Sequence, residues 1–516
     1  MDATGGHALY SRFLRGLELS PHGAAVRVGP DSVTYTQAHE LALRWGGALA
    51  RAEHRVVGVL AGKGRTAYAG ILAALYAGAT VVPLRPDFPV ARLRQMLGAS
   101  RATALICDGA GLGVLPGLLA DRCDVAVLAP EADLAVAEFP VLAADGRHAL
   151  DHPRPVTRDD PAYVLFTSGS TGRPKGVVIT HGSTEHYFRL LDARYDFTPA
   201  DVFSQTFDLN FDCSLFDLFC AWGSGGTAVV VPPQAYRALP EYVADAGLTV
   251  WFSTPSVIDL VRRMGGLDAA ALPGLRWSFF AGEALKCRDA ADWRRAAPNA
   301  VLENLYGPTE LTITVAAYRW CDDMSPSASV NGVVPIGALH DGHDHVLLDE
   351  RGEPTAGEGE LCVAGPQLTP GYLDPEDERG RFVDRDSLRW YRTGDRVRVI
   401  GEGELAYLGR LDSQVQVQGW RIELAEIENA LRASGVHDAV TVGVPGTGGI
   451  QLFSFYTGAP LATVDIVRKL RDLLPEGVIP KHYRNLDEFP LNGNRKVDRS
   501  RLTALAGELL TGAVVR

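Results

Sequence analysis

Residues 163–176 read Tyr-Val-Leu-Phe-Thr-Ser-Gly-Ser-Thr-Gly-Arg-Pro-Lys-Gly. An apolar strand over 163–166 runs into a loop dense in Gly, Ser and Thr, with Lys175 at its far end. Gly169 and Gly172 free backbone N–H groups to point inward. The hydroxyls of Thr167, Ser168, Ser170 and Thr171 add donors, and Lys175 adds an ammonium. Together these make a phosphate cradle, the kind that handles a nucleoside triphosphate. On composition alone, the same letters read equally well as a flexible surface loop. The stretch is not the common P-loop, which needs Gly-Lys-Ser/Thr after four spacers; here Lys175 follows Pro174 and precedes Gly176. Nor does a Gly-x-Gly-x-x-Gly open a helix, so a dinucleotide fold has no support.

Outward from this loop, short apolar runs alternate with helical patterns. Buried strands are expected over 56–60, 80–84, 104–107 and 125–128, with helices over 37–50 and 90–97 between them. A second series is expected after the loop, over 227–231, 250–252, 277–280 and 301–304. That alternation predicts an α/β protein with parallel sheets covered by helices. The Gly/Pro-rich, strand-heavy stretch over 337–400 predicts a small β unit. Beyond Asp412, a helix over 423–433, strands over 439–444 and 452–456, and a helix over 464–474 capped by Thr463 predict a small α+β lid. The expected division is a large N-terminal body, 1–411, and a mobile C-terminal lid, 412–516.

With 516 residues, there is room for about three ordinary ~150-residue units. A formal charge of −12 argues against nucleic acid as a general partner. The longest apolar run, 67–84, is interrupted by Gly78 and Pro83 and reads as a buried helix then a core strand rather than a membrane span. The start of the chain carries no apolar stretch behind a basic segment. Seven cysteines are scattered without a Cys-x-x-Cys pair, as expected for free thiols in a reducing cytoplasm.

The loop and its flanks resemble the signature of the adenylate-forming superfamily, which holds acyl- and aryl-CoA synthetases, luciferases and the adenylation domains of nonribosomal peptide synthetases. The family's other motifs follow in the family's order: Leu-Tyr-Gly-Pro-Thr-Glu at 305–310, Gly-Glu-Leu-Cys-Val-Ala-Gly-Pro-Gln-Leu-Thr-Pro-Gly-Tyr-Leu at 359–373, Tyr-Arg-Thr-Gly-Asp at 391–395, Tyr-Leu-Gly-Arg-Leu-Asp at 407–412, Gly-Trp-Arg-Ile-Glu-Leu at 419–424 and Asn-Arg-Lys-Val-Asp-Arg at 494–499. The resemblance spans nearly the whole chain.

The chemistry so implied is attack of a carboxylate on the α-phosphorus of ATP. It works by neutralising charge and aligning the groups. By resemblance, residues 167–175 hold the β- and γ-phosphates. Glu310 holds Mg²⁺, and Thr309 binds the α-phosphate. Asn304 and Tyr306 bond and stack the adenine, Asp395 accepts the ribose hydroxyls, Arg410 adds a ribose contact, and Tyr407 lines the adenine slot. Lys496 from the lid joins substrate carboxylate and nucleotide, and Asp412 is the hinge on which the lid swings. Two departures stand out. Arg495 replaces the usual Gly before the lysine, and Gln416 and Gln418 stand where basic residues are common.

The substrate frame, also by resemblance, is Asp212, Cys213, Phe216, Ser253, Phe279, Ala281, Gly282, Leu305, Ile313 and Thr314, with Lys496. An Asp at 212 is how amino-acid-activating members meet the α-ammonium. An unpaired anion there would disfavour a fatty-acyl or aryl acid. Two Phe and a Leu leave room for a short side chain: alanine first, then glycine, serine or 2-aminobutyrate, with proline and valine expected to fit less well. The sequence runs 17 residues beyond Arg499 with no phosphopantetheine-accepting segment. The expected partner is therefore a separate phosphopantetheinylated carrier protein, in the manner of antibiotic and other natural-product biosynthesis. The sequence also resembles D-alanine–carrier protein ligases. An organic-acid CoA ligase and a non-catalytic protein retaining the fold are the remaining alternatives.

Overall fold

The computed structural model describes residues 6–511, apart from 123, 133–138, 144, 170–171, 402, 413, 447–448 and 492–496. Two compact units divide the chain. One holds 1–86, 97–166 and 176–409; the other holds 87–96, 167–175 and 410–516.

In the large unit the described strands gather into three sheets. The central strands of a nine-stranded sheet run in the order Val301–Tyr306, Trp277–Phe280, Val250–Ser253, Val202–Gln205, Thr227–Val230, Ala24–Val28, all parallel. A seven-stranded sheet places Pro161–Thr167 beside Thr80–Leu84, followed by Val56–Leu60, Ala104–Cys107 and Ala126–Leu128. These strands are apolar along their whole length, as a sheet covered on both faces requires. A six-stranded sheet takes in Asp344–Leu348, Glu358–Ala364 and Leu388–Ile400. This is the small β unit, and its own core includes Leu347, Leu361, Val363, Tyr391 and Val397.

The helices follow from local signals. Tyr35–Arg51 opens on a complete capping box, Thr34 with Gln37. Arg65–Tyr76 is buried at every position from Thr66 onward, so its uninterrupted apolar run belongs to a core helix. No helix among the described residues is long and apolar enough to cross a membrane. The described cysteines are free thiols.

In the small unit the antiparallel strands Asp438–Gly446 and Gly449–Thr457 carry His482–Asn485 in parallel at their edge. Alternation along the strands sends Leu452 and Tyr456 to a cluster with Ile427, Leu431, Ile466 and Leu470, and Phe453 and Phe455 to one with Leu502 and Ala506. Helices thus cover both faces. One expectation is corrected here. The helix Thr463–Arg471 is preceded by Ala462 as N-cap, and no side chain caps it; Thr463 is already helical. The strands Gln414–Val417 and Trp420–Glu423 form a hairpin. Its two turn residues, Gln418 (φ 49°) and Gly419 (φ 83°), are both left-handed, as a tight type I′ turn demands.

Candidate active site

In an open parallel sheet, ligands gather beyond the carboxyl ends of the strands, where side chains and freed backbone groups converge. The nine-stranded sheet delivers four sets of expected residues to that edge. Strand Val301–Tyr306 ends in Asn304, Leu305 and Tyr306. Trp277–Phe280 leads into Ala281 and Gly282, and Val250–Ser253 ends at Ser253. Val202–Gln205 leads through the loop 206–211 to Asp212.

Asp212 stands at the N-terminus of the helix Cys213–Ser224 but makes no side-chain cap. Its carboxylate instead faces the Thr309 hydroxyl and Cys213, both of which favour the ionised form. Burial raises its pKa to about 6, against the pull of those donors, and the Glu310 charge adds to the rise. Asp212, Thr309 and Glu310 therefore share one locale. The loop ahead of Asp212 is pinned from below. Burial raises the pKa of Asp217 well above the usual carboxylate value, opposed by the nearby Lys63 ammonium and the backbone N–H groups of Thr206 and Phe207. The Lys63 ammonium donates to the Thr206 carbonyl at 2.8 Å, and Arg85 pairs with Asp208.

The residues of the expected substrate frame pack in an aromatic cluster. Phe216 meets Phe252 at 4.8 Å and Phe279 at 5.2 Å between ring centres, both edge to face. Cys213, Phe216, Ser253, Phe279, Ala281, Leu305, Ile313 and Thr314 are all buried. Gly282 is left-handed at φ 84°. The Tyr187 hydroxyl reaches Thr314 Oγ1 at 2.9 Å, a contact that the sequence frame did not name.

The stretch after Tyr306 turns sharply back. Gly307 is obligatory there, because a Cβ would lie 2.5 Å from Thr314 Cα and 2.7 Å from the Ile313 carbonyl oxygen. Thr312 (φ 57°) and Ile313 (φ 70°) are consecutive left-handed residues. Each such non-glycine residue costs about 1–3 kcal/mol. Glu310, 2% exposed, accepts the Tyr372 hydroxyl at 2.6 Å. No group of three or more His, Cys, Asp or Glu side chains suited to a metal occurs among the described residues. A single anchored carboxylate is nonetheless what Mg²⁺ uses when phosphate oxygens and water complete its shell, so Glu310 fits that ion.

Among the residues expected at the nucleoside, the Tyr306 hydroxyl donates to Asp395 Oδ2 at 2.6 Å, while the Asp395 N–H donates to Thr393 Oγ1 at 3.0 Å. Tyr306 and Tyr407 are partly buried against one apolar cluster. The Asn304 side-chain amide donates to the carbonyls of Val334 and Pro335, at 3.3 and 2.9 Å.

Other expected residues lie in the small unit. Arg410 forms a fork onto Asp412, at 2.9 and 2.6 Å, so the expected ribose contact is tied to the expected hinge. The Ser168 hydroxyl donates to the Arg421 carbonyl at 2.6 Å and accepts the Glu423 N–H at 3.1 Å. Gly169 lets the loop close, since a Cβ would sit 2.2 Å from the Arg173 carbonyl oxygen. Thr167, Gly172 and the buried Lys175 complete the described part of the loop. Ser170, Thr171, Arg495 and Lys496 lie outside the described residues. Sequence reasoning gave no role to Tyr372, Gln367 or Tyr187. The first two stand inside a quoted motif, and nothing in their spacing announces what they hold.

Residues 16–373 match the sequence family described as AMP-binding enzyme. The chain belongs to that family. The solved structure of IdnL7 is 61% identical, with a TM-score of 0.77, over 97% of this chain and 99% of that one. The Vibrio cholerae adenylation domain AlmE, solved with glycyl-adenosine-5'-phosphate, is 28% identical with a TM-score of 0.86, over 97% and 98%. An L-proline–L-prolyl-carrier protein ligase of Pseudomonas fluorescens is 32% identical, over 95% of this chain and 98% of its own length. Other relatives are far longer: the chain spans 10% of a linear gramicidin synthase of Brevibacillus parabrevis, at 32% identity. The α/β body with a smaller C-terminal α+β unit is the adenylation-domain fold.

Proposed function

We propose that this member of the AMP-binding family activates a small amino acid with ATP and loads it onto a separate carrier protein. The observation that carries this reading is the buried Asp212 carboxylate beside Thr309 and Glu310 at the strand ends. An acyl chain would leave that anion unpaired, whereas an α-ammonium neutralises it. The aromatic wall of Phe216, Phe252 and Phe279 favours a short side chain, alanine first and then glycine, serine or 2-aminobutyrate. The glycyl-adenylate held by one relative lies in that range of size, whereas the proline named for another is larger than the side chains favoured here.

In the proposed first step, a substrate carboxylate oxygen bonds to the α-phosphorus, the bond to the β-phosphate bridge breaks, and pyrophosphate leaves. In the second, a phosphopantetheine thiolate of the carrier attacks the acyl carbon and AMP leaves. Asp212 fixes the ammonium, Thr309 the α-phosphate, Tyr306 and Asp395 the nucleoside, with Asn304, Tyr407 and Arg410 in support. Residues 167–175 take the leaving phosphates. Glu310 would hold Mg²⁺, which offsets phosphate charge. Lys496 joins the two anions as they react, and Asp412 is the pivot of the exchange between steps. ATP–pyrophosphate exchange over a panel of amino acids and simple organic acids tests the reading. Exchange with L- or D-alanine is expected; exchange with acetate or benzoate alone would replace it by an organic-acid CoA ligase.

A further inference from the structure

Gln367 is fully buried, and its side-chain amide faces three backbone carbonyls at once: Leu311 at 3.0 Å, Thr312 at 3.2 Å and Thr314 at 2.9 Å. The grip is returned, because the Thr312 hydroxyl donates to the Gln367 backbone carbonyl at 2.7 Å. The Gln367 N–H is itself anchored on His343 Nε2 at 3.3 Å. An amide nitrogen with two hydrogens and three acceptors sits at the focus of a turn whose carbonyls converge.

That turn is the strained pair Thr312 and Ile313. A β-branched residue in left-handed backbone persists only where its surroundings over-determine it. The pair lies between Glu310 on one side and Thr314 on the other, so its geometry sets both the aim of a carboxylate and the depth of the pocket wall. The same short segment holds Glu310 directly: the Thr369 N–H donates to its backbone carbonyl at 2.8 Å, and the Tyr372 hydroxyl to its Oε1 at 2.6 Å.

We propose that Gln367 is a positioning residue for adenylation: its amide holds the left-handed turn at Thr312–Ile313, and thereby places Glu310 and the Ile313–Thr314 wall of the amino-acid pocket. It touches neither substrate nor nucleotide. The proposal rests on the function read above for this site.

Gln367→Met keeps the length of the side chain and removes its donors. The test compares it with wild type and with Tyr242→Phe, a control that loses a hydroxyl-to-carbonyl bond (2.9 Å, to Val230) away from the site. ATP–pyrophosphate exchange gives kcat and KM for alanine and 2-aminobutyrate, and deuterium uptake is followed in peptides covering 306–316. The Met variant should lose on the order of 10²-fold in kcat/KM. It should also discriminate less between the two amino acids and exchange amides faster in that segment, while Tyr242→Phe stays at wild-type level. Thr312→Gly, which relieves the left-handed strain, should recover part of the loss in the Met background.

A Met variant with wild-type exchange and wild-type deuterium uptake would overturn the proposal. So would a loss of equal size in Tyr242→Phe. If the wild-type protein catalyses no exchange with any amino acid, the functional reading fails instead, and deuterium uptake alone decides whether the amide holds the turn.

Discussion

Asp212 is the residue on which the proposed substrate choice turns. Its pKa of about 6 lies above the ordinary carboxylate value of 3.8. An ammonium needs the ionised form, so amino-acid kcat/KM should fall about tenfold per pH unit as pH drops below 6. Asp212→Asn should abolish that limb and lower kcat/KM by the equivalent of about 2–5 kcal/mol. The linkage to folding has the opposite sign from a salt-bridged carboxylate. A raised folded-state pKa means the ligand-free protein is penalised above pH 6 and regains stability as pH falls from 6 towards 4. Urea midpoints of wild type and Asp212→Asn at pH 4.5 and 7.5 check it: the gap between them should widen at the higher pH. At the proposed nucleoside contact, Tyr306→Phe removes a 2.6 Å bond to Asp395. A bond to a charged acceptor contributes about 1.5–3 kcal/mol, so the KM for ATP should rise roughly tenfold or more, with little change in the KM for the amino acid.

Among the elements, the return from Tyr306 to Thr314 is the least forgiving. Gly307→Ala would press a methyl onto Thr314 Cα at 2.5 Å. Overpacking of that kind costs about 1–3 kcal/mol. The expected outcome is a lower melting temperature together with a raised amino-acid KM, because Ile313 and Thr314 must yield. The strands of the large unit were legible in the sequence: apolar runs such as Val56–Leu60 and Trp277–Phe280 form strands where their composition placed them. Their periodicity reflects burial on both faces, which is local information. The left-handed backbone at Thr312 and Ile313 was not legible, because neither residue type favours it. Tertiary contacts from Gln367 impose it, some fifty residues away in sequence. Thr463 failed as a cap for a simpler reason: a Thr serves as readily at the first helical position as before it. Likewise Asp212 reads as a cap by type and position, yet its side chain makes no capping bond and faces the Thr309 hydroxyl.

For the molecule as a whole, each unit has its own core, so each should report its own stability. In the small unit Arg92 and Glu426 form an ion pair whose side chains are 8% and 5% exposed. Arg92→Ala strands a buried carboxylate, a loss of about 3–5 kcal/mol. Calorimetry should show the transition of the small unit moving down and that of the large unit holding. Replacing both partners by Met and Leu should restore much of the loss.

The Ser168 hydroxyl carries one further consequence. It has a single proton, and here that proton is committed to the Arg421 carbonyl, while its oxygen receives the Glu423 N–H. If residues 167–175 take phosphates as proposed, a phosphate oxygen arriving at the same proton must displace the carbonyl. Nucleotide occupancy and fastening of the strand Trp420–Glu423 are then competitors for one atom, and each must weaken the other by the same factor.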